Sequence, residues 1–343
     1  MKYLSSIFLR LALVVVLYSL AAVVIDPHQN GRWRIFHNYL GQFNSDDYRA
    51  WRTSELKKFA AQGPVDGLVL GSSRADGITS QILERATGRR YFNFSVPGST
   101  LSIISSVYAG VLHDGYRPRH LILGLDVEEL LTRKKIEARQ RAIAQGEIVP
   151  TLFQTAVNVR GVFDKDFAEF MVRILANVAG LPRFKTENEF KIEAGPAAAA
   201  DQALRDEYAH RISTCGALLN TRFARLDLVS DLRFGVLYDI LKLASDSGAS
   251  VDIYMTPVNP LAEQQAIQGN RYVELRREAM TRLTREAAQR HYTLHDFGSA
   301  SSFGGDDVHW VDCVHYGPVN AERMVHRMLP GCDDCSPAKT DGK

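Results

Sequence analysis

The stretch Val65-Asp66-Gly67-Leu68-Val69-Leu70-Gly71-Ser72-Ser73 decides how the chain is read. A short apolar run closed by Gly-Ser-Ser predicts a buried strand opening onto a tight turn. Beyond it, Ile78, Ile82 and Ala86 recur at helical spacing, and Gly88 stands where a helix C-cap belongs. Strand, loop and helix then repeat: Tyr91 to Val96, the loop Pro97-Gly98, and a helix from Ser99-Thr100 that ends by Gly115. A third strand, His120 to Leu125, reaches Asp126. Near-continuous apolar strands alternating with helices predict an α/β domain whose doubly wound parallel sheet is covered on both faces.

The alternation lapses from Val127 to about Gly248, where helical segments at Pro150 to Ala179 and Leu226 to Asp246 flank a loop at Pro182 to Ala200. This reads as a mainly helical insertion, because strands resume at Val251 to Thr256 and Thr293 to Phe297, giving about five in all. A long helical pattern covers Leu261 to Arg290, and a final helix covers about Val319 to Met328. A short leading helix is expected over Ser54 to Gln62, capped by Ser54. The expected organisation is a membrane anchor or signal segment over 1–26, a linker and leading helix over 27–64, the α/β domain over 65–330 with its insertion at about 127–248, and a polar tail over 331–343. No internal repeat of fixed period is present, which sets aside solenoids and propellers.

Composition narrows the function classes. With 343 residues and 45% apolar content the chain can bury a large core. Its 41 basic and 39 acidic side chains give a net charge of +2 and no broad electrostatic reason to bind nucleic acid. The basic run Arg133 to Arg141 is broken by Ile136, Glu137 and Ala138 and reads as a solvated helix face. At the N-terminus Lys2 and Arg10 precede an apolar run from Leu11 to Ile25, and Leu4 to Ile25 approaches the ~20 residues that cross a bilayer. A cleaved signal peptide competes, yet no convincing cleavage site precedes Asp26-Pro27, so a retained N-terminal transmembrane helix with the bulk of the chain extracytoplasmic is expected. Cys215, Cys313, Cys332 and Cys335 permit disulfides there without fixing their pairing. Cys332-Asp-Asp-Cys335 lacks two further ligands for zinc and reads as a local disulfide or idle thiols.

In an open parallel sheet, ligands bind beyond the carboxyl ends of the strands. The loops expected there collect Ser72, Ser73, Gly98, Asp126, Asn259, Asp306, Asp307, His309, Asp312 and His315. A serine hydroxyl becomes a nucleophile when a histidine removes its proton and a carboxylate holds that histidine's tautomer. Two Asp-x-x-His pairs are present, Asp306 to His309 and Asp312 to His315. The second is preferred as the base, because His315 precedes the packed final helix while His309 follows a glycine-containing stretch expected to be mobile. A metal-dependent hydrolase built on Asp306, Asp307, His309 and His315 would leave Ser73 unused. Arg74 is a candidate for holding an anionic substrate group, with a surface ion pair as the plainer alternative. Asn259 is a second candidate substrate contact, or a helix N-cap. No cofactor and no metal are expected.

Three separated blocks, Val69-Leu-Gly-Ser-Ser-Arg-Ala75, Asn93-Phe-Ser-Val-Pro-Gly98 and Asp312-Cys-Val-His315, occur in the order of the SGNH (GDSL-like) hydrolases, which the chain resembles over most of Val65 to Leu329. It is most similar to the membrane-anchored cell-envelope members that act in alginate acetylation and teichoic-acid D-alanylation. The resemblance implies a flavodoxin-like sheet and a triad of nucleophile Ser73, base His315 and orienting Asp312. It also implies an oxyanion hole from the backbone amides of Ser73 and Gly98. Asp126 departs from the pattern, standing where the family commonly supplies an asparagine donor. An ionised carboxylate would repel an oxyanion, so Asp126 must be protonated, turned away, or serving another role. The implied chemistry is acyl transfer or hydrolysis, acetyl above all, on a cell-envelope or exported glycan, with a membrane acyl-donor protein as a possible partner. The rival from another class is a non-catalytic envelope assembly protein that keeps the fold as a binding platform.

Overall fold

The computed structural model describes residues 45–144 and 202–330. The chain divides into two units. One joins Met1–Tyr48 to Ala142–Phe190 and lies almost wholly outside the described residues; the other joins Arg49–Arg141 to Lys191–Lys343 and carries the sheet. The expected anchor at 1–26, the helix at Pro150 to Ala179, the loop at Pro182 to Ala200, and the tail with Cys332 and Cys335 all fall outside the described residues. Among the described residues no helix is long and apolar enough to cross a membrane.

Helix α1 (Ser45–Ala61) leads to β1 (Gly67–Leu70), α2 (Ser80–Thr87), β2 (Tyr91–Asn93), α3 (Leu101–His113) and β3 (His120–Leu125). A short 3-10 turn and β4 (Leu131–Thr132) follow, then α4 (Lys134–Ala144). The chain resumes with α5 (Gln202–Phe223), β5 (Leu228–Val229), α6 (Asp231–Asp246), β6 (Ser250–Met255), α7 (Pro260–Ala266), α8 (Tyr272–Arg290), β7 (Tyr292–His295) and α9 (Pro318–Met328). Five strands form one parallel sheet in the order β2-β1-β3-β6-β7. This is the flavodoxin-like order. Right-handed crossovers then place the helices on both faces, and α2 packs on α9 while α3 packs on α6. Leu68, Val69, Leu121, Ile122, Leu123 and Ile253 are fully buried, which is why their strands read as continuous apolar runs rather than alternating ones.

Several boundaries differ from the sequence reading. Helix α1 begins at Ser45 rather than Ser54. Strand β2 ends at Asn93 rather than Val96, although the Phe94 and Val96 amides still donate to Val69 O and Gly71 O, at 2.8 and 2.9 Å. The helix expected from Leu226 begins at Asp231, because Leu228 and Val229 pair antiparallel with Thr132 and Leu131 and Ser230 then caps the helix. Helix α6 is the crossover from β3 to β6 and so belongs to the doubly wound core. The single helix expected over Leu261 to Arg290 is two. Asn270 divides it, donating through Nδ2 to Ala266 O (2.7 Å) at the end of α7 and accepting Tyr272 N (3.0 Å) at the start of α8.

Candidate active site

The order of the sheet reverses between β1 and β3, and the chain leaving β1 there runs Gly71-Ser72-Ser73. A Cβ on Gly71 would lie 2.7 Å from Ala75 Cβ and 2.9 Å from Gly124 O, so the turn crosses the end of β3 at a distance only glycine permits. Ser72 is buried and caps the 3-10 turn Ser73–Ala75, its Oγ accepting from Arg74 N at 3.2 Å. Ser73 is half-buried. Asn93, buried at the end of β2, ties this turn down: its Nδ2 donates to Ala75 O and Ile78 O, both at 2.8 Å, and its Oδ1 accepts Ser95 N. Gly71 O accepts from Val96 N and from Ser99 Oγ, each at 2.9 Å, which sets the Pro97–Gly98 turn beside the serine. Gly98 has φ +66, a left-handed conformation that glycine adopts without strain.

The histidine arrives on a narrow hairpin. Gly317 N donates to His309 O and Val311 N to His315 O, both at 2.8 Å, while buried Trp310 and Tyr316 meet edge to face. Tyr316 is further fixed by Tyr254, hydroxyl to hydroxyl at 3.1 Å. At the hairpin tip Asp312 Oδ1 accepts the amides of Val314 and His315, each at 2.8 Å, which leaves Oδ2 to accept from His315 Nδ1 at 2.7 Å. That bond fixes the tautomer in which His315 Nε2 is an acceptor, and Ser73 Oγ donates to it at 2.9 Å. Burial would raise the Asp312 carboxyl, but the hydrogen bond and charge of His315 with the two amides outweigh it and hold it below the usual carboxylate range. Asp312 therefore stays ionised beside the imidazole.

Two bonds tether the tip from outside. Cys313 is joined to Cys215 of α5 by a disulfide, and Asn259 N donates to Cys313 O at 2.8 Å.

The remaining candidates lie elsewhere or act otherwise. Arg74 does not face a substrate: it is 6% exposed, and its guanidinium meets Glu128 at 2.6 Å and Asp126 at 3.7 Å. Burial opposes the Arg74 charge, but Asp126 and Glu128 outweigh it, so its pKa is raised. Neighbouring charges likewise overcome burial at Glu128, where Arg74 keeps the carboxyl depressed. Asn259 is fully buried and caps α7, accepting Leu261 N at 2.9 Å and donating to Tyr208 Oη at 3.3 Å, which leaves it no face toward a ligand. Asp126 accepts from Thr256 Oγ1 at 2.6 Å and faces Arg74, so its role is structural and its carboxylate is held by those two partners. His309 bonds Asp306 at 2.8 Å in a separate turn, and Arg323 and Asn320 hold that turn in place. Among the described residues no three His, Cys, Asp or Glu side chains converge as a metal site, so Asp306, Asp307, His309 and His315 do not form one.

Asp76 was not singled out by sequence reasoning. Burial raises its pKa despite hydrogen bonds from Ser95 and Arg52 and the nearby His315. Its only sequence signal is its place three residues after Ser73.

No protein-family model matches the chain, and no curated protein matches it. Among solved structures, one reported as "Crystal Structure of TesA" is similar at 13% identity and a TM-score of 0.37, over 79% of this chain and 99% of that one.

Proposed function

We propose that the chain is a serine-dependent acyl-ester enzyme of the SGNH type, an esterase or O-acyltransferase. One observation carries this: the unbroken chain of hydrogen bonds from Ser73 Oγ through His315 to Asp312, on residues from opposite ends of the domain. Ser73 Oγ attacks the acyl carbonyl carbon while His315 Nε2 takes its proton, and ionised Asp312 stabilises the imidazolium. The backbone amides of Ser73 and Gly98 donate to no other described residue and are the proposed donors to the oxyanion. Collapse of the tetrahedral intermediate expels the alkoxide, which takes the proton from His315, and leaves acyl-Ser73. Water or a sugar hydroxyl then attacks that ester with His315 again as base, giving hydrolysis or transfer.

The proposed acyl group is acetyl and the proposed substrate an envelope or exported glycan. The resemblance to cell-envelope acetylation proteins supports this, as do the N-terminal apolar segment, which we read as a retained anchor, and a disulfide suited to an extracytoplasmic compartment. The second reading, a binding platform without catalysis, is favoured by Asp126, which leaves the oxyanion without the family's side-chain donor. Losing one such donor typically slows turnover by ~3 kcal/mol in the barrier and does not abolish it.

The deciding experiment incubates the purified full-length chain with a small acyl ester and measures acid release and mass addition at Ser73. A serine-directed phosphonate should label wild type and Ser72→Ala but not Ser73→Ala. Labelling at Ser72 would move the nucleophile. No turnover and no label at either serine would leave the platform reading in place.

A further inference from the structure

Cys313 lies inside the Asp312-x-x-His315 turn, beside the carboxylate and two residues before the imidazole, and its sulfur is bonded to Cys215 across 98 residues. Helix α5, which carries Cys215, is a firm support. Its Gly216 crosses α7 so closely that a Cβ would lie 2.9 Å from Ala262 O, and Asn220 donates to Gln265 O and Ala266 O at 3.1 and 3.2 Å. The same helix reaches the hairpin again through Tyr208, whose hydroxyl donates to Trp310 O at 3.4 Å. The Ser73–His315 contact itself is one 2.9 Å bond between two half-buried side chains. A base must sit within ~3 Å of the proton it removes, and a misplacement of ~1 Å can slow turnover about a hundredfold.

We propose that the Cys215–Cys313 disulfide is a positioning element of the triad, holding the Asp312–His315 turn on Ser73, so that a dithiol switches catalytic turnover down reversibly. The inference rests on the reading of Ser73 as nucleophile and names a regulation of that site. Cys215 is half-buried and Cys313 fully buried, so attack falls on Cys215. A thiolate of the dithiol bonds to Cys215 Sγ as the Cys215–Cys313 bond breaks, and Cys313 Sγ leaves with the electron pair and takes a proton. The second sulfur of the dithiol then attacks the mixed disulfide and releases Cys215, which is protonated. The dithiol ends as a cyclic disulfide, oxidised by two electrons, and the protein holds two thiols.

The test treats the full-length protein with dithiothreitol under native conditions, counting thiols at Cys215 and Cys313 by alkylation and mass mapping. With the bond open, kcat for a small acyl ester should fall tenfold to a hundredfold, on the order expected for a displaced base, with KM within about twofold. It should return on reoxidation. Cys215→Ser, which changes α5 and leaves the sequence of the turn intact, should show the same fall and no further response to the dithiol, which excludes Cys332 and Cys335 as the source. Amide exchange across residues 309–317 should rise while β1, β3 and β6 stay protected. Unchanged kcat and unchanged exchange with the bond open overturn the proposal, as does mapping that pairs Cys215 elsewhere. Loss of activity together with loss of far-UV circular dichroism also overturns it, in favour of a general stabilising role. If the oxidised protein turns over no ester, the catalytic reading fails by itself, and the exchange experiment still decides whether the disulfide holds the turn.

Discussion

Residues 306–309 and 312–315 are the same four-residue device used twice. In each, an aspartate accepts the amides two and three residues on and also the Nδ1 of the histidine, at 2.8 Å in the first and 2.7 Å in the second. The first is anchored to α9, through Arg323 on Asp306 at 2.5 Å and buried Asn320 on Asp306 O and His309 O. The second is anchored to α5 and α7 and reaches Ser73. An oriented imidazole is thus a local product of Asp-x-x-His, whereas a base requires the rest of the fold to bring a hydroxyl to it. The stretch around His309, expected as a mobile solvated loop, is tied to α9 by Asn320 and Arg323.

Mutation can break this contrast or sharpen it. His315→Ala should lower kcat for a small acyl ester about 10⁴-fold or more, as should Ser73→Ala, with the double variant hardly worse because triad members act as a unit. His309→Ala should keep activity within about threefold. A dead His309→Ala beside an active, folded His315→Ala would reverse the two roles. Next, Asp312→Asn should lower kcat by roughly 10² to 10⁴, since the amide permits the wrong imidazole tautomer, while Asp306→Asn changes it only a few-fold. Equal effects in steady-state assays would erase the contrast.

Asn320→Ala removes three hydrogen bonds of a fully buried side chain to the first turn and should destabilise by about 2–3 kcal/mol in urea unfolding. Turnover per folded molecule should survive it. The smallest effect is acid-dependent. Burial would raise the Asp306 pKa, but the His309 amide and ring and Arg323 bring it down to about 2. A carboxylate depressed on folding contributes stability above its unfolded value near 3.8, and that contribution disappears as pH falls toward 2. Wild type should therefore exceed Asp306→Asn by about 1 kcal/mol at pH 6, after allowance for solvent screening. The gap should close between pH 4 and pH 2. A gap that widened on acidification would contradict the ionised assignment.

The sheet and the Ser73–His315–Asp312 juxtaposition were legible in the sequence because both leave short-range marks. Leu121, Ile122, Leu123 and Leu125 make β3 an apolar run after its first residue, and Gly71-Ser72-Ser73 and Asp312-x-x-His315 are compact patterns whose order along the chain carries information. What stayed hidden depends on distant pairing. Arg74 reads as a surface charge until Glu128, 54 residues away, is seen against it. An even cysteine count permits any pairing, so nothing marked Cys215 as the partner of Cys313. The paired strands β4 and β5 are two residues each, too short for any periodicity to register.

That small pair has a consequence of its own. Leu131–Thr132 and Leu228–Val229 bring the chain back to the place it left, and Lys134 N to Asp227 Oδ1 at 2.7 Å with Asp227 N to Thr132 O at 3.1 Å seal the junction. The entropic cost of closing a loop rises only slowly with its length. The returning helix α5 also carries Cys215 to the Asp312–His315 turn, so the strand pair and the disulfide clasp one excursion of the chain at two points.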